Sequence, residues 1–245
     1  MNKMTLSVIA VAAAAGMASA NTIDLAYLGT GAGRNVRITL DGSSTNVFAG
    51  QLRHQMSNGT GAGAELSGQA MVTYCADINQ TVGASASTYE IVDVSVLPSP
   101  DSVTTPGGMG AIRAAAIQNL YAYANSMGAV HTDSSASNDF GTAFQLVVWE
   151  LVYDFDGTAG SFSLTSGAFS AKQTNGNALW GSVVAIANDL FLNGAMVNSG
   201  YTGVAGLRSG TRQDQLVELS VFIPTPSAAA IGLVGLGGLA ARRRR

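Results

Sequence analysis

The chain predicts an α+β fold, a β-sandwich or partly open β-barrel carrying a helical insertion. Three observations predict it. The first third holds period-two or β-rich runs parted by turn residues, the middle changes to helical spacing, and one further β-rich run closes the body. The 245 residues, 47% apolar and 11% charged, suffice for one core without disulfide staples. That composition excludes a disordered acidic chain, a collagen and a coiled coil.

The strand-like runs are Thr22 to Leu28, Val36 to Leu40, Asn46 to Leu52, Ala70 to Ala76 and Thr88 to Leu97. Turn clusters separate them at Gly29-Thr30-Gly31-Ala32-Gly33, Asp41-Gly42-Ser43-Ser44 and Gly59-Thr60-Gly61-Ala62-Gly63. Neither Gly-Thr-Gly-Ala-Gly copy is followed by the Lys-Ser/Thr of a phosphate loop, and their flanks differ, so both are expected to be turns.

From Gly108 to Met127 a stripe of Ile112, Ala115, Ala116, Leu120, Tyr123 and Ala124 predicts a helix starting after Pro106. A second helix, Phe140 to Phe155, aligns Phe140, Phe144, Val147, Val148, Leu151 and Phe155, with Asp139 placed to cap it. The polar, serine-rich run from His131 to Asp139 reads as a loop between them. A third helix is expected over Ala178 to Leu192, ending near Asn193-Gly194, and a last strand over Asp214 to Phe222.

Both ends read as addresses. Residues 1–20 set Lys3 before an apolar run from Val8 to Ala15 and finish on Ala18-Ser19-Ala20, the pattern of a secretory signal cleaved after Ala20. At the other end, Pro224-Thr225-Pro226 stops the last strand. An apolar stretch from Ser227 to Ala241 then leads into Arg242, Arg243, Arg244 and Arg245. Fifteen helical residues at about 1.5 Å each fall short of the roughly 30 Å hydrocarbon core, so this segment alone is a marginal span. Arginines on the cytoplasmic side would orient it with the body outside.

The Pro-x-Pro, short glycine-rich apolar helix and terminal arginines resemble the PEP-CTERM sorting signal of Gram-negative and related bacteria. That resemblance implies an exosortase-type processing enzyme as partner and delivery to the cell surface or exopolysaccharide matrix. Thr225 stands where the family has Glu. A plain C-terminal membrane anchor is the alternative. The expected division is therefore a signal at 1–20, a globular body at 21–223 and a sorting and membrane-anchor segment at 224–245.

Between the two ends the body has 7 basic and 15 acidic residues, a net charge of −8. An acidic body without a basic stripe gives no electrostatic reason to bind nucleic acid.

Cys75 is the single cysteine, and an exported protein with one thiol needs a reason for it. It ends a predicted strand, in Tyr74-Cys75-Ala76-Asp77, where it is either a small buried hydrophobe or a positioned nucleophile. Gln145 sets an uncharged amide in an apolar sector of the second helix, beside Val152 and between Val148 and Trp149. A buried amide is either bonded to a neighbouring backbone or used.

Tyr74-Cys75 and Phe144-Gln145-Leu146-Val147-Val148-Trp149 together resemble the thioester domain of bacterial surface adhesins, which joins a Tyr-Cys strand end to the glutamine of a Thr-Gln-x-Ala-Ile/Val-Trp helix. Gln145, Val148 and Trp149 match that second motif, while Phe144 and Val147 replace its Thr and Ala. The resemblance implies an internal Cys75–Gln145 thioester supported by Tyr74 and Trp149, needing no cofactor. It would react once with surface amines, as covalent adhesion and not as enzymatic turnover. The alternative is an inert component of the exopolysaccharide matrix, with Cys75 a buried free thiol.

Other constellations are weaker. Asp154-x-Asp156-Gly157 lacks the further ligands of a calcium loop, and His54 and His131 lack zinc-site spacing. Glu150 and Asp154, four apart on one helix face, read as a solvent-facing pair, and no Gly-x-Ser-x-Gly elbow supports a hydrolase.

Overall fold

The computed structural model describes residues 20–98, 107–127 and 136–219. The expected signal through residue 19, His131, and the sorting segment with Pro224, Pro226 and Arg242 to Arg245 lie outside the described residues. Among the described residues no helix is long and apolar enough to cross a membrane.

The body is α+β, with one seven-stranded antiparallel sheet and three α-helices among the described residues. The strands are β1 (Thr22–Leu40), β2 (Ser43–Thr60), β3 (Ala70–Cys75), β4 (Ser87–Val92), β5 (Phe169–Gln173), β6 (Val204–Arg208) and β7 (Gln215–Glu218). The helices are α1 (Gly110–Ser126), α2 (Asn138–Tyr153) and α3 (Gly181–Asp189), and α3 continues into a π-helical turn at Leu190–Ala195.

The strand pairings run in a circuit. β1 pairs β2, β2 pairs β3, β3 pairs β7, β7 pairs β6, β6 pairs β4, and β4 returns to β1 at Thr22 to Leu25. β5 lies outside this ring, on the second half of β1. Alternate residues of five ring strands, namely Ile23, Leu25, Met56, Tyr89, Ala205, Leu207 and Val217, together with Leu66, form one apolar cluster.

The hairpin between β1 and β2 turns on Asp41 and Gly42, both at positive φ (48° and 81°), as a two-residue loop requires. The first Gly-Thr-Gly-Ala-Gly copy is not the expected turn. It lies inside β1, where the register shifts between Tyr27 and Gly29 and between Thr30 and Gly33. Gly33 is there for lack of a side chain: a Cβ would stand 2.5 Å from Ala49 O. The second copy ends β2 and enters a 3₁₀ turn at Gly61–Leu66.

α2 is the centre of the larger core. Every residue from Phe140 to Tyr153 is buried, because β1, β2, β3 and β5 as well as α1 and α3 all pack against it. Burying each of its large apolar side chains stabilises the fold by about 1.5–3 kcal/mol. Its N-cap is Ser137, whose side chain accepts from Phe140 N–H at 3.1 Å, and not the expected Asp139. Asp139 in the first turn instead pairs with Arg34 at 2.6 Å and accepts from Ser182 at 2.6 Å. At the other end, Arg113 of α1 donates to Val152 O and Phe155 O at 2.7 and 2.8 Å, cations being favourable at a helix C-terminus.

The helical stripe predicted for α1 holds at Ala116, Leu120 and Ala124, which are buried, and fails at its start: Ile112 is 65% exposed and Ala115 is exposed, while Ala114, Ile117 and Tyr121 join the core instead. β5 and β6 are not among the expected strands: each is only five residues long, and β6 is buried without alternation.

Candidate functional site

β3 ends at Cys75, held on β7 by the pairs Tyr74↔Leu216 and Cys75↔Gln215. Ala76 prolongs that contact, its N–H donating to Asp214 O at 2.9 Å. Tyr74 is buried with its ring 4.5 Å from that of Phe144, so it fixes β3 against α2 and does not line the site.

α2 delivers Gln145 to the same point. Cys75 N–H donates to Gln145 Oε1 at 2.9 Å, and Gln145 Nε2 donates back to Cys75 O at 2.8 Å. Residues 70 positions apart are thus joined by a reciprocal pair of hydrogen bonds, both residues being at most 2% exposed. A buried amide left unpaired would cost about 1–3 kcal/mol, and this one is satisfied by a single residue.

The four-residue spacing of Gln145, Trp149 and Tyr153 extends the contact along α2. Tyr153 Oη accepts from Ile78 N–H at 2.9 Å and donates toward Asp77 Oδ1 at 3.3 Å. Trp149 lines the site and packs on Phe169, with ring centres 6.2 Å apart. Tyr153 and Asp77 were missed in the sequence, although Tyr153 follows from Gln145 and Trp149 at the same spacing.

Cys75 Sγ donates to Asp77 O at 3.1 Å. Burial pushes the thiol well above its usual pKa, and the carboxylates of Asp77 and Asp214 push it further; the Trp149 side chain and the Asp77 backbone N–H act in opposition. The sulfur is therefore a protonated thiol.

A cleft of about 350 Å³ opens over the pair, and both Cys75 and Gln145 line it. Trp149, Tyr27, Phe48 and Gln80 are among the other walls, and among the described residues no Asp, Glu, Lys, Arg or His lines it. The Gln80 Oε1 atom is buried and has no hydrogen-bond partner.

The other sequence candidates lie elsewhere. Glu150 does not face solvent as expected: it is 0% exposed, its Oε1 accepts from Ser163 N–H at 2.8 Å, and its Oε2 is buried without a partner. Burial pushes its carboxyl up to about 8, with the Asp154 charge adding and the Ser163 bond opposing. The reason is that α2 is enclosed on all sides, so no face of it is left for water. His54 is buried in the ring and held near 4 by burial. Thr73 spends its one proton on Gln215 Oε1 at 2.9 Å, so His54 Nδ1, 3.1 Å from Thr73 Oγ1, is the donor there. Asp156 turns its carboxylate on Thr158, accepting from both the N–H and the hydroxyl at 2.8 Å. Among the described residues no group of three or more His, Cys, Asp or Glu is arranged to hold a metal ion.

Compared with protein-family models, with curated proteins and with solved structures, the chain finds no match.

Proposed function

We propose that the body carries an internal thioester between Cys75 and Gln145, and that the protein is an exported envelope or matrix component that attaches covalently to surface amines. The reciprocal hydrogen bonds between the two residues carry this reading. They tie the amide to the backbone of the residue whose side chain would be the nucleophile, which supports a short path between sulfur and amide carbon. Near-attack positioning would be worth about 7–11 kcal/mol of the barrier.

In the reaction, Cys75 Sγ attacks the Gln145 side-chain carbonyl carbon and charge develops on Oε1, where the Cys75 N–H already donates. The C–N bond breaks, the thiol proton leaves on nitrogen, and ammonia departs, so that thiol plus amide become thioester plus ammonia. An arriving amine then forms an amide with the same carbon and returns the sulfur to a thiol. The reaction is consumed once per chain and needs no cofactor. Enclosure by Trp149 and neighbouring apolar walls limits attack by water.

The address segments complete the reading: a signal at 1–20 for export, and a PEP-CTERM-like segment at 224–245 as the substrate of an exosortase-type enzyme. We also read the six-strand circuit as the small barrel expected from the sequence, with α1 and α2 as its helical insertion.

Intact-mass measurement tests the bond. The thioester form is lighter than the plain sequence by about 17 Da, one ammonia, and its Cys75 resists alkylation after unfolding until an amine is added. Full mass with freely alkylated Cys75 rejects it. The second reading, an inert scaffold, is favoured by the Sγ–H bond to Asp77 O, which suits a stable buried thiol.

A further inference from the structure

The walls of the cleft over Cys75 and Gln145 say which amine would be taken, granted the thioester just proposed. The body around it is acidic, with 15 acidic against 7 basic residues, yet the cleft has no charged wall among the described residues. A protonated amine entering it gives up water with no carboxylate in the walls to contact, and although the Asp77 and Asp214 charges reach Cys75 from outside the cleft, desolvation disfavours the charged form. A hydroxyl nucleophile needs a base to take its proton, and among the described residues no carboxylate, histidine or lysine lines the cleft. What remains is an amine that is already neutral at working pH. A lysine ε-amine, with an ordinary pKa of about 10.4, is neutral in only about one molecule in 2,500 at pH 7, whereas an amine near 7.7–8.0 is neutral in about one in ten.

The uncharged walls point to the carrier of that amine. Tyr27, Phe48 and Trp149 offer aromatic surface, and Thr45, Asn46 and Gln80 offer neutral hydroxyl and amide groups. Gln80 Oε1 is a buried acceptor still without a donor. Flat apolar surface beside neutral hydrogen-bonding groups matches a sugar ring, which has C–H faces and a rim of hydroxyls. A volume of about 350 Å³ lies within the range of small-ligand sites.

We infer that the cleft is a subsite for an amino sugar, and that its weakly basic free amine is the preferred nucleophile. The amine lone pair attacks the former Gln145 carbonyl carbon, the C–S bond breaks with its electron pair going to sulfur, and the amine proton passes to sulfur. An amide to the sugar and a free Cys75 thiol result, with no oxidant or reductant needed.

The test offers the full-length protein glucosamine, N-acetylglucosamine, glycinamide and Nα-acetyl-lysine at equal concentration and pH 7, reading adducts by intact mass and released thiol by titration. Glucosamine is expected to react at least tenfold faster than Nα-acetyl-lysine, whose neutral fraction is about 250-fold smaller, and faster than glycinamide, and N-acetylglucosamine to give no adduct. Gln80→Met is expected to slow glucosamine about tenfold while leaving glycinamide unchanged. The inference is overturned if Nα-acetyl-lysine, glycinamide or N-acetylglucosamine keeps pace with glucosamine, or if Gln80→Met slows glucosamine and glycinamide alike. Absence of the ammonia-sized mass loss before treatment removes the thioester and this inference together. Its presence with a different order of amines removes this inference alone.

Discussion

Gln145 occupies both backbone hydrogen-bonding groups of Cys75, its Oε1 on the N–H at 2.9 Å and its Nε2 on the carbonyl at 2.8 Å. The strand end and the helix are thereby locked by one side chain, whatever chemistry follows. On a Cys75→Ala background, where no covalent bond forms, adding Gln145→Ala is expected to cost about 3–5 kcal/mol, since two buried backbone groups lose their partners and a cavity opens. Urea unfolding of the two variants measures this. A further loss below about 1 kcal/mol would show that the amide contributes little to the lock.

Tyr153 holds the next stretch of the same segment through Ile78 N–H at 2.9 Å. Tyr153→Phe leaves that N–H without its acceptor and is expected to cost about 1–3 kcal/mol. It should also speed hydrogen exchange at Ile78 more than at Tyr74. Unchanged exchange at Ile78 would argue against the contact.

Glu150 and His54 shape the response to pH in opposite directions. Glu150 has its folded pKa raised from 4.5 to about 8, so its neutral-form advantage is present below 4.5 and is lost as pH rises towards 8. Asp77, raised by burial, acts in the same sense. His54 has its folded pKa lowered from 6.5 to about 4, so stability falls as pH drops from 6.5 towards 4. The two slopes offset each other between 4.5 and 6.5, which leaves a plateau followed by a decline from 6.5 to 8. Glu150→Gln is expected to remove most of that decline, about 2 kcal/mol between pH 6.5 and 9, as read by thermal melts across the range. A variant that keeps the wild-type alkaline slope refutes the assignment to Glu150.

Gly141 gives a test of sign. Helix propensity alone favours Gly141→Ala by about 1 kcal/mol. A Cβ there, however, would stand 2.3 Å from Ala32 O in β1, so the helix and strand backbones must separate. The expected outcome is a net destabilisation of about 1–3 kcal/mol in chemical unfolding. A stabilised variant would mean that α2 and β1 separate easily.

The α+β class, the start of β1, and the existence of β3, α1 and α2 were legible because each carries a long period or clear turn chemistry. The Cys75–Gln145 proximity was legible through a resemblance: Tyr74-Cys75 and the Gln145, Val148 and Trp149 positions imply it, and a lone thiol and a misplaced amide agree with it. What failed to show did so on physical grounds. The glycines of residues 29–33 read as a turn because glycine permits one, yet Gly31 and Gly33 serve the close approach of β2. Glu150 read as solvent-facing because four-residue charge spacing usually is, but the enclosure of α2 depends on β5 and α3, which are distant in the chain. The uncharged cleft wall is assembled from β1, β2, the segment after β3 and α2, so no local pattern announces it.

β7 is the last strand of the circuit, and Cys75 is fixed by pairing with Gln215 at its start. A nascent chain still lacking residues 215–218 has no seat for the end of β3. The joint between Cys75 and Gln145 therefore gains its last support only once nearly the whole described body has emerged, so synthesis order sets when that junction becomes rigid.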